Sequence, residues 1–164
     1  EGTGYPEYDG KWFDQSLQYA SNAILQSGQA FWIRSRQNVN QTLTLFGDVV
    51  TASAVTNTIV PGLQMLGYPF SAPVTLENLS LSENAYGSDS YNMSDNIMLW
   101  NPTSQVYVSY FIAGGTGDPV YDGKWFTQTL QPAGQVVIQP GQGFWYRHRG
   151  DGFVWVEQRP YAAP

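Results

Sequence analysis

The sequence of 164 residues contains no cysteine, which excludes disulfide bonds, thiolate metal sites and a cysteine nucleophile. Charged residues make up only 12% of the chain, and seven basic residues stand against thirteen acidic ones. The resulting net charge of −6 lacks the basic footprint that binding to nucleic-acid phosphates requires. No apolar run approaches the length of about 18 residues that would span a bilayer. We therefore expect no nucleic-acid partner and no membrane span.

Residues that could carry out catalysis are also scarce. The only histidine is His148, and no glycine-rich phosphate loop, nucleophile elbow or metal-spaced cluster is present. The acidic turn residues Asp9 and Asp122 have no second acid in the spacing that a calcium loop needs. We therefore predict no enzyme activity, no catalytic residues, no metal site and no cofactor.

The chain contains an internal repeat of 35 residues. Residues 2–36 and 115–149 align without a gap at an offset of 113, and 21 of the 35 pairs are identical. The sequence between the two copies occurs only once. This pattern divides the chain into an N-terminal half-repeat (1–50), a unique segment (51–113) and a C-terminal half-repeat (114–164).

Apolar residues recur at a spacing of two between clusters of Gly, Pro, Asn, Asp and Ser, which is typical of short half-buried strands. We predict an all-β fold of short antiparallel strands in a β-sandwich or in paired small barrels, without a helix longer than two turns. A hairpin is expected between 97–100 and 106–112, and residues 47–58 are predicted to be a linker or an extended arm that pairs with a sheet edge. The other predicted strands are 11–13, 23–26, 30–36, 42–46, 63–68 and 74–81, together with the counterparts in the second copy.

Each copy of the repeat ends in a strand that carries aromatic residues and arginine. Because alternate residues of a strand face opposite sides, Phe144, Tyr146 and His148 are predicted on one face of the C-terminal strand and the rest on the other. The second face of the two copies then carries the four arginines Arg34, Arg36, Arg147 and Arg149 next to Trp32 and Trp145. Such a row can bind a carboxylate, a sulfate or an acidic sugar. We favour a role in the fold, with arginine packed on tryptophan and paired with Asp9, Asp122 or Glu157.

The strand after the C-terminal repeat reads Phe153-Val154-Trp155-Val156, whereas threonines replace both aromatic residues in the N-terminal copy. The alternation predicts Val154 and Val156 on the core face. Phe153 and Trp155 would then form either an exposed apolar patch, which marks an interface or ligand surface, or part of the core between two sheets. The second interpretation is slightly favoured.

Aromatic residues make up 15% of the chain, a supply that suits sugar stacking and protein interfaces alike. The candidate stacking platforms are Trp12, Trp100, Trp125 and Trp155. Three Asn-x-Ser/Thr sequons fall in or near predicted loops and make glycosylation conceivable; they are at Asn40, Asn78 and Asn92.

Several motifs together carry a resemblance to a known type of module. They are Leu66-Gly67-Tyr68-Pro69-Phe70, Ile97-Met98-Leu99-Trp100-Asn101, the Asp-Gly-Lys-Trp turn and Pro140-Gly141-Gln142-Gly143-Phe144-Trp145-Tyr146-Arg147. In this order the motifs resemble the uncharacterised all-β repeat modules of long secreted or surface proteins of environmental bacteria. The resemblance implies an extracellular or cell-surface location and a unit in which the unique segment precedes the half-repeat, but it implies no activity. The chain departs from the pattern by starting in mid-unit and by carrying Ser27-Gly28-Gln29-Ala30 in the first copy.

The repeat organisation leaves one half-repeat without a unique segment of its own. An unpaired half-unit exposes strand edges and an apolar face, which a neighbouring subunit can cover by strand addition through the N-terminal segment or the 47–58 arm. We therefore expect a structural subunit that assembles head-to-tail with copies of itself into an extracellular filament or surface layer. The alternatives are a carbohydrate-binding module and a closed monomer in which both half-repeats pack on the unique segment.

Overall fold

The structure is a computed structural model that describes residues 4–20, 22–34, 42, 44 and 48–162. The predicted all-β class is confirmed, because these residues form antiparallel strands and, apart from them, only short 3-10 helices. The strands are β1 (Ala54–Ile59), β2 (Gly62–Gly67), β3 (Val74–Thr75), β4 (Asn96–Asn101), β5 (Val106–Ile112), β6 (Trp125–Thr127), β7 (Val137–Ile138), β8 (Gly143–His148) and β9 (Phe153–Gln158).

The largest sheet has five antiparallel strands in the order β2-β8-β4-β5-β6. The predicted hairpin forms β4 and β5, and its turn is fixed by the side chain of Asn101, which accepts hydrogen bonds from the backbone N–H groups of Thr103 and Ser104. Strand β8, from the C-terminal half-repeat, lies between β2 and β4 of the unique segment. The sheet is thus completed only when a half-repeat strand enters the unique segment.

Two small sheets, β1-β9 and β3-β7, complete the described strands. One main hydrophobic core unites the five-stranded sheet with both of them. All fully buried hydrophobic residues of the described part lie between Ile59 and Trp155, so the N-terminal half-repeat contributes none. The compact body of the protein therefore consists of the unique segment and the C-terminal half-repeat.

The strand predicted over residues 74–81 is wrong. The extended backbone ends at Thr75 and continues as two 3-10 helices, Leu76–Asn78 and Ser80–Asn84. Leu76 lies in the first helix, Leu79 in the extended backbone between the two helices and Leu81 in the second helix, and all three are buried.

The predicted arm 47–58 is not free to bind a neighbour along its whole length. Its second half enters β1, which pairs with β9 of the same chain from Ala54↔Gln158 to Ile59↔Phe153. Among the described strands, β1 is paired only on its β9 side, so strand addition to another subunit through this segment, as predicted from the sequence, would have to use its other edge.

Within its described residues, the N-terminal half-repeat forms isolated bridges in place of the predicted strands. Phe13 bridges Tyr19 within the half-repeat, and Gln29 bridges Leu66 of β2. Residues 42–46 lie largely outside the described part of the chain. A strand needs a neighbouring strand to complete its hydrogen bonds, and the N-terminal copy has no unique segment to provide one.

In β9 the predicted core face is reversed. Trp155 and Glu157 are buried and Phe153 is half-buried, whereas Val154 and Val156 are exposed. Sheet β1-β9 packs the Trp155 side against the 3-10 helices, where the indole Nε1 donates to Ser80 Oγ at 3.1 Å and to Glu157 Oε2 at 2.9 Å. The interpretation of Phe153 and Trp155 as core residues is therefore correct, and the core assignment of Val154 and Val156 is wrong.

Candidate interaction surface

The two copies of the repeat make the same turns although they lie in different surroundings. Ala20 N donates to Trp12 O at 2.9 Å, and at the corresponding positions Ala133 N donates to Trp125 O at 2.8 Å. Leu17 and its counterpart Leu130 both adopt a left-handed backbone, with φ of 59° and 60°. The local sequence therefore dictates the local conformation of each copy.

Burial separates the two copies at the aromatic motif. The side chain of Trp125 is 1% exposed, whereas its counterpart Trp12 is 69% exposed. The same difference holds at three further aligned pairs, in which the C-terminal residue is fully buried and the N-terminal residue is at least 40% exposed: Phe144 against Phe31, Ile138 against Leu25 and Tyr146 against Ile33. We call Trp12, Leu25, Phe31 and Ile33 the uncovered face.

The unique segment is what buries these positions in the C-terminal copy. Trp125 lies opposite Ile112 of β5, and its indole Nε1 donates to Ser82 Oγ at 2.8 Å. Phe144 lies between Leu66 of β2 and Leu99 of β4. The N-terminal copy carries Trp12 and Phe31 at the corresponding positions without such a cover.

The N-terminal half-repeat contacts the compact body at one corner of the large sheet. Gly67 N donates to Gly28 O at 2.8 Å, next to the bridge from Gln29 to β2. Gly28 has a φ of +84°, and a Cβ there would lie 2.3 Å from Asn57 Nδ2, so this position requires glycine. Gly143 provides the second close approach, because a Cβ on it would lie 2.8 Å from the Cβ of Ala30.

An aromatic cluster continues this corner across the outer face of the sheet. Trp32 packs edge-on against Trp100, with ring centroids 5.3 Å apart, and Trp100 packs in the same way on Tyr107 at 5.0 Å. Trp145 Nε1 donates to the Tyr107 hydroxyl at 3.1 Å. Trp32, Trp100 and Tyr107 border a shallow groove of about 290 Å³. We call this site the aromatic groove.

The predicted stacking platforms have different fates. Trp125 and Trp155 are 1% exposed, so neither can stack on a sugar, and that prediction is wrong for both. Trp100 is half-buried in the aromatic groove, and Trp12 is exposed. Phe153 is half-buried and packs on His148 with ring centroids 5.1 Å apart, which removes it from the candidate contact surface.

The arginines partly match the prediction. Arg34 and Arg147 are exposed, and Arg147 lies on the same sheet face as Trp145. Neither makes an ion pair or a cation–π contact within the described residues, so the predicted packing of arginine on tryptophan is absent there. The backbone N–H of Arg149 donates a hydrogen bond to Oδ1 of the buried Asp95 at 2.6 Å. Arg36 lies outside the described residues.

A buried polar network around Asp95 was missed by the sequence analysis. The Asp95 side chain is fully buried, and its Oδ2 accepts a hydrogen bond from the Tyr146 hydroxyl and lies 2.8 Å from His148 Nδ1. Tyr86 N donates to the same oxygen at 2.8 Å. The predicted core-face position of His148 is confirmed, and its second ring nitrogen lies 2.6 Å from Asp151 O. We call Asp95, Tyr146 and His148 the carboxylate network.

The acidic turn at Asp122 is satisfied within its own loop. Thr116 Oγ1 donates to Asp122 Oδ1 at 2.7 Å, and Gly117 N donates to Oδ2 at 3.2 Å. The hydrogen bond from the Thr116 side chain is the main cause that lowers the pKa of Asp122 below its ordinary value. Within the described residues, no group of three or more His, Asp or Glu side chains is arranged to hold a metal ion.

A groove of about 810 Å³ has a polar wall around Glu157 and Arg159. Burial is the main cause that raises the pKa of Glu157. Burial, followed by the charge of Glu157, raises the pKa of Tyr68 to about 12. The groove therefore favours the neutral forms of Glu157 and Tyr68, and it exposes no aromatic platform for a sugar.

Two of the three sequons have accessible side chains. Asn78 ends the first 3-10 helix and Asn92 lies in a turn, and both are exposed. Asn40 lies outside the described residues. Glycosylation at these positions stays a prediction.

Comparison of the chain with protein-family models, with curated proteins and with solved structures gave no match. In the part of the chain that the structure describes, no helix is long and apolar enough to cross a membrane.

Proposed function

We propose that the protein is a structural subunit of an extracellular filament or surface assembly, and that its copies join head-to-tail through the N-terminal half-repeat. The observation that carries this proposal is the contrast between Trp12, 69% exposed, and Trp125, 1% exposed, within the same motif. The motif is made to be buried, and only one of its two copies is buried.

Covering the uncovered face would supply the driving force for assembly. Full burial of an exposed Leu, Ile or Phe side chain stabilises a complex by about 1.5–3 kcal/mol, and tryptophan adds a larger area. The contact is heterologous, because the half-repeat of one copy meets a different surface of the next. A heterologous contact that does not close into a ring builds a helical filament.

An extracellular location is supported by the composition and by the resemblance to secreted repeat modules. The chain contains few charges and many neutral polar residues, which suits a secreted or surface-exposed protein. A secreted protein with this uncovered face would bury it by assembling with other copies.

The proposal is tested by light scattering after gel filtration and by negative-stain microscopy over a range of concentrations. The wild type is expected to form elongated assemblies, and the double variant Trp12→Ser with Leu25→Ser is expected to stay monomeric with unchanged circular dichroism. Leu17→Ser is the matched control, because Leu17 and its counterpart Leu130 are both exposed. Dispersed wild-type particles at high concentration, or assembly of the double variant, would contradict the proposal.

A carbohydrate-binding role is the second candidate, and the aromatic groove favours it. Trp32, Trp100 and Tyr107 bring three rings together at the protein surface, and aromatic faces of this kind stack on sugar rings. Trp32→Ala is expected to abolish binding on a glycan array, whereas Trp12→Ala, which removes an indole outside the groove, should not. Binding that survives Trp32→Ala would exclude the groove as the sugar site.

A further inference from the structure

The two half-repeats compete in principle for one place in the fold. Strand β8 of the C-terminal copy lies between β2 and β4 of the unique segment, and residues 30–34 of the N-terminal copy are its sequence counterpart. We call this position between β2 and β4 the slot. With 21 of 35 aligned residues identical, the two copies present similar residue types to it. Something in the structure must select one of them.

Most sequence differences between the copies do not decide which of them occupies the slot. Gly143 is replaced by Ala30, but apart from Ala30 itself the nearest atom to a Cβ on Gly143 is Leu66 O, at an ordinary contact distance of 3.7 Å. Leu25 takes the place of Ile138, and swaps of this kind that conserve volume are well tolerated in cores. At these two positions shape alone admits the N-terminal copy into the slot.

The carboxylate network is the exception. Asp95 belongs to the unique segment, whereas Tyr146 and His148, which both face its Oδ2, belong to the C-terminal half-repeat. The aligned residues of the N-terminal copy are Ile33 and Ser35. Isoleucine has no donor, and a serine hydroxyl lies too close to its own backbone to reach where the imidazole nitrogen reaches.

We propose that Asp95 assigns the unique segment to the C-terminal half-repeat and excludes the N-terminal one. Entry of the N-terminal copy would leave a fully buried carboxylate without both of its side-chain partners. Each hydrogen-bond partner lost from a buried carboxylate shifts an equilibrium by about tenfold or more. Because Asp95 needs these two donors, the N-terminal half-repeat stays out of the slot in its own chain and in any identical copy.

The exclusion of the N-terminal half-repeat by Asp95 has a consequence for assembly. This consequence rests on the proposed function. The N-terminal half-repeat of one copy cannot enter the unique segment of an identical copy, so the uncovered face must add to the outside of an intact neighbour. Any unique-type segment that does accept this half-repeat is expected to carry a neutral residue in place of Asp95.

The test grafts the two donors onto the N-terminal copy of the full chain, as Ile33→Tyr with Ser35→His. The matched control is Ile33→Phe with Ser35→Ala, which adds an aromatic ring but no donor. Hydrogen–deuterium exchange is measured on dilute monomer for the amides of residues 31–34 and 144–147. In the wild type, we expect 144–147 to be protected and 31–34 to exchange rapidly.

In the grafted variant, the two copies are expected to share the slot. The amides of residues 31–34 should therefore gain protection, and the protection factors of residues 144–147 should fall by at least about tenfold. The control is expected to match the wild type. An unchanged exchange pattern in the grafted variant, or the same change in the control, would overturn the proposal. Since the measurement is made on monomer, it stands or fails independently of filament formation.

Discussion

The two tryptophans of the repeated Lys-Trp-Phe motif offer a matched measurement of what the unique segment contributes. Trp125→Ala and Trp12→Ala remove the same side chain from the same local conformation. Trp125 is 1% exposed and its Nε1 donates to Ser82 Oγ at 2.8 Å, whereas Trp12 is 69% exposed. The two substitutions should therefore differ in free energy of unfolding by nearly the whole value of a buried tryptophan.

The expected magnitude follows from the burial. Replacing a core tryptophan with alanine costs about 3–5 kcal/mol, and the loss of the hydrogen bond to Ser82 adds about 1 kcal/mol. Domains of this kind are stable by about 5–15 kcal/mol, so Trp125→Ala is expected to leave the fold close to its limit. Trp12→Ala should change the free energy of unfolding by less than about 0.5 kcal/mol.

Urea unfolding followed by far-ultraviolet circular dichroism checks this difference at a protein concentration where the chain is monomeric. Should Trp125→Ala fail to fold, Trp125→Phe keeps most of the apolar ring and loses only part of the stability. An equal loss for Trp12→Ala and Trp125→Ala would refute the reasoning, since it would show that the N-terminal half-repeat is buried in the monomer.

Three further predictions concern other parts of the chain. Glu157→Gln should raise the melting temperature at pH 7, with a difference that vanishes below pH 4.5: because burial raises the pKa of Glu157 above its ordinary 4.5, the wild type loses stability as the pH rises through the raised value. A gain that persists unchanged at pH 3.5 would contradict this. Deletion of residues 1–47 should preserve a cooperative unfolding transition, because no fully buried hydrophobic residue of the described part lies there; loss of the transition would mean that the body depends on the half-repeat. Gly143→Val should displace Ala30 from the sheet and speed amide exchange in residues 28–33 with little change in melting temperature, as a Cβ at this position already lies 2.8 Å from the Cβ of Ala30.

Predictions from the sequence succeeded where a local pattern determines the structure. The β4-β5 hairpin follows from two alternating runs around a polar turn, and Asn101 closes that turn with bonds to residues two and three positions away. The prediction of a strand over residues 74–81 failed because closely spaced buried leucines occur in strands and in 3-10 helices alike. In that case the choice was made by packing of the helix against β9, far along the chain.

The candidate site was harder to predict because its residues meet across the fold. Asp95 and His148 are 53 positions apart, and their pairing depends on the insertion of β8 beside β4. One signal was present in the sequence. Tyr146 and His148 fall on the core face of a predicted strand, and two buried donors require a buried acceptor.

The sequence by itself determined the all-β class, the repeat and the turns within each copy. These features depend on the backbone preferences of a few consecutive residues, such as Gly10 and Gly123, which share a left-handed φ of 73° and 75°. Only the tertiary structure decided that Trp125 is a core residue and Trp12 a surface residue. Burial depends on which partner strands are in reach, and this chain brings one unique segment to two half-repeats.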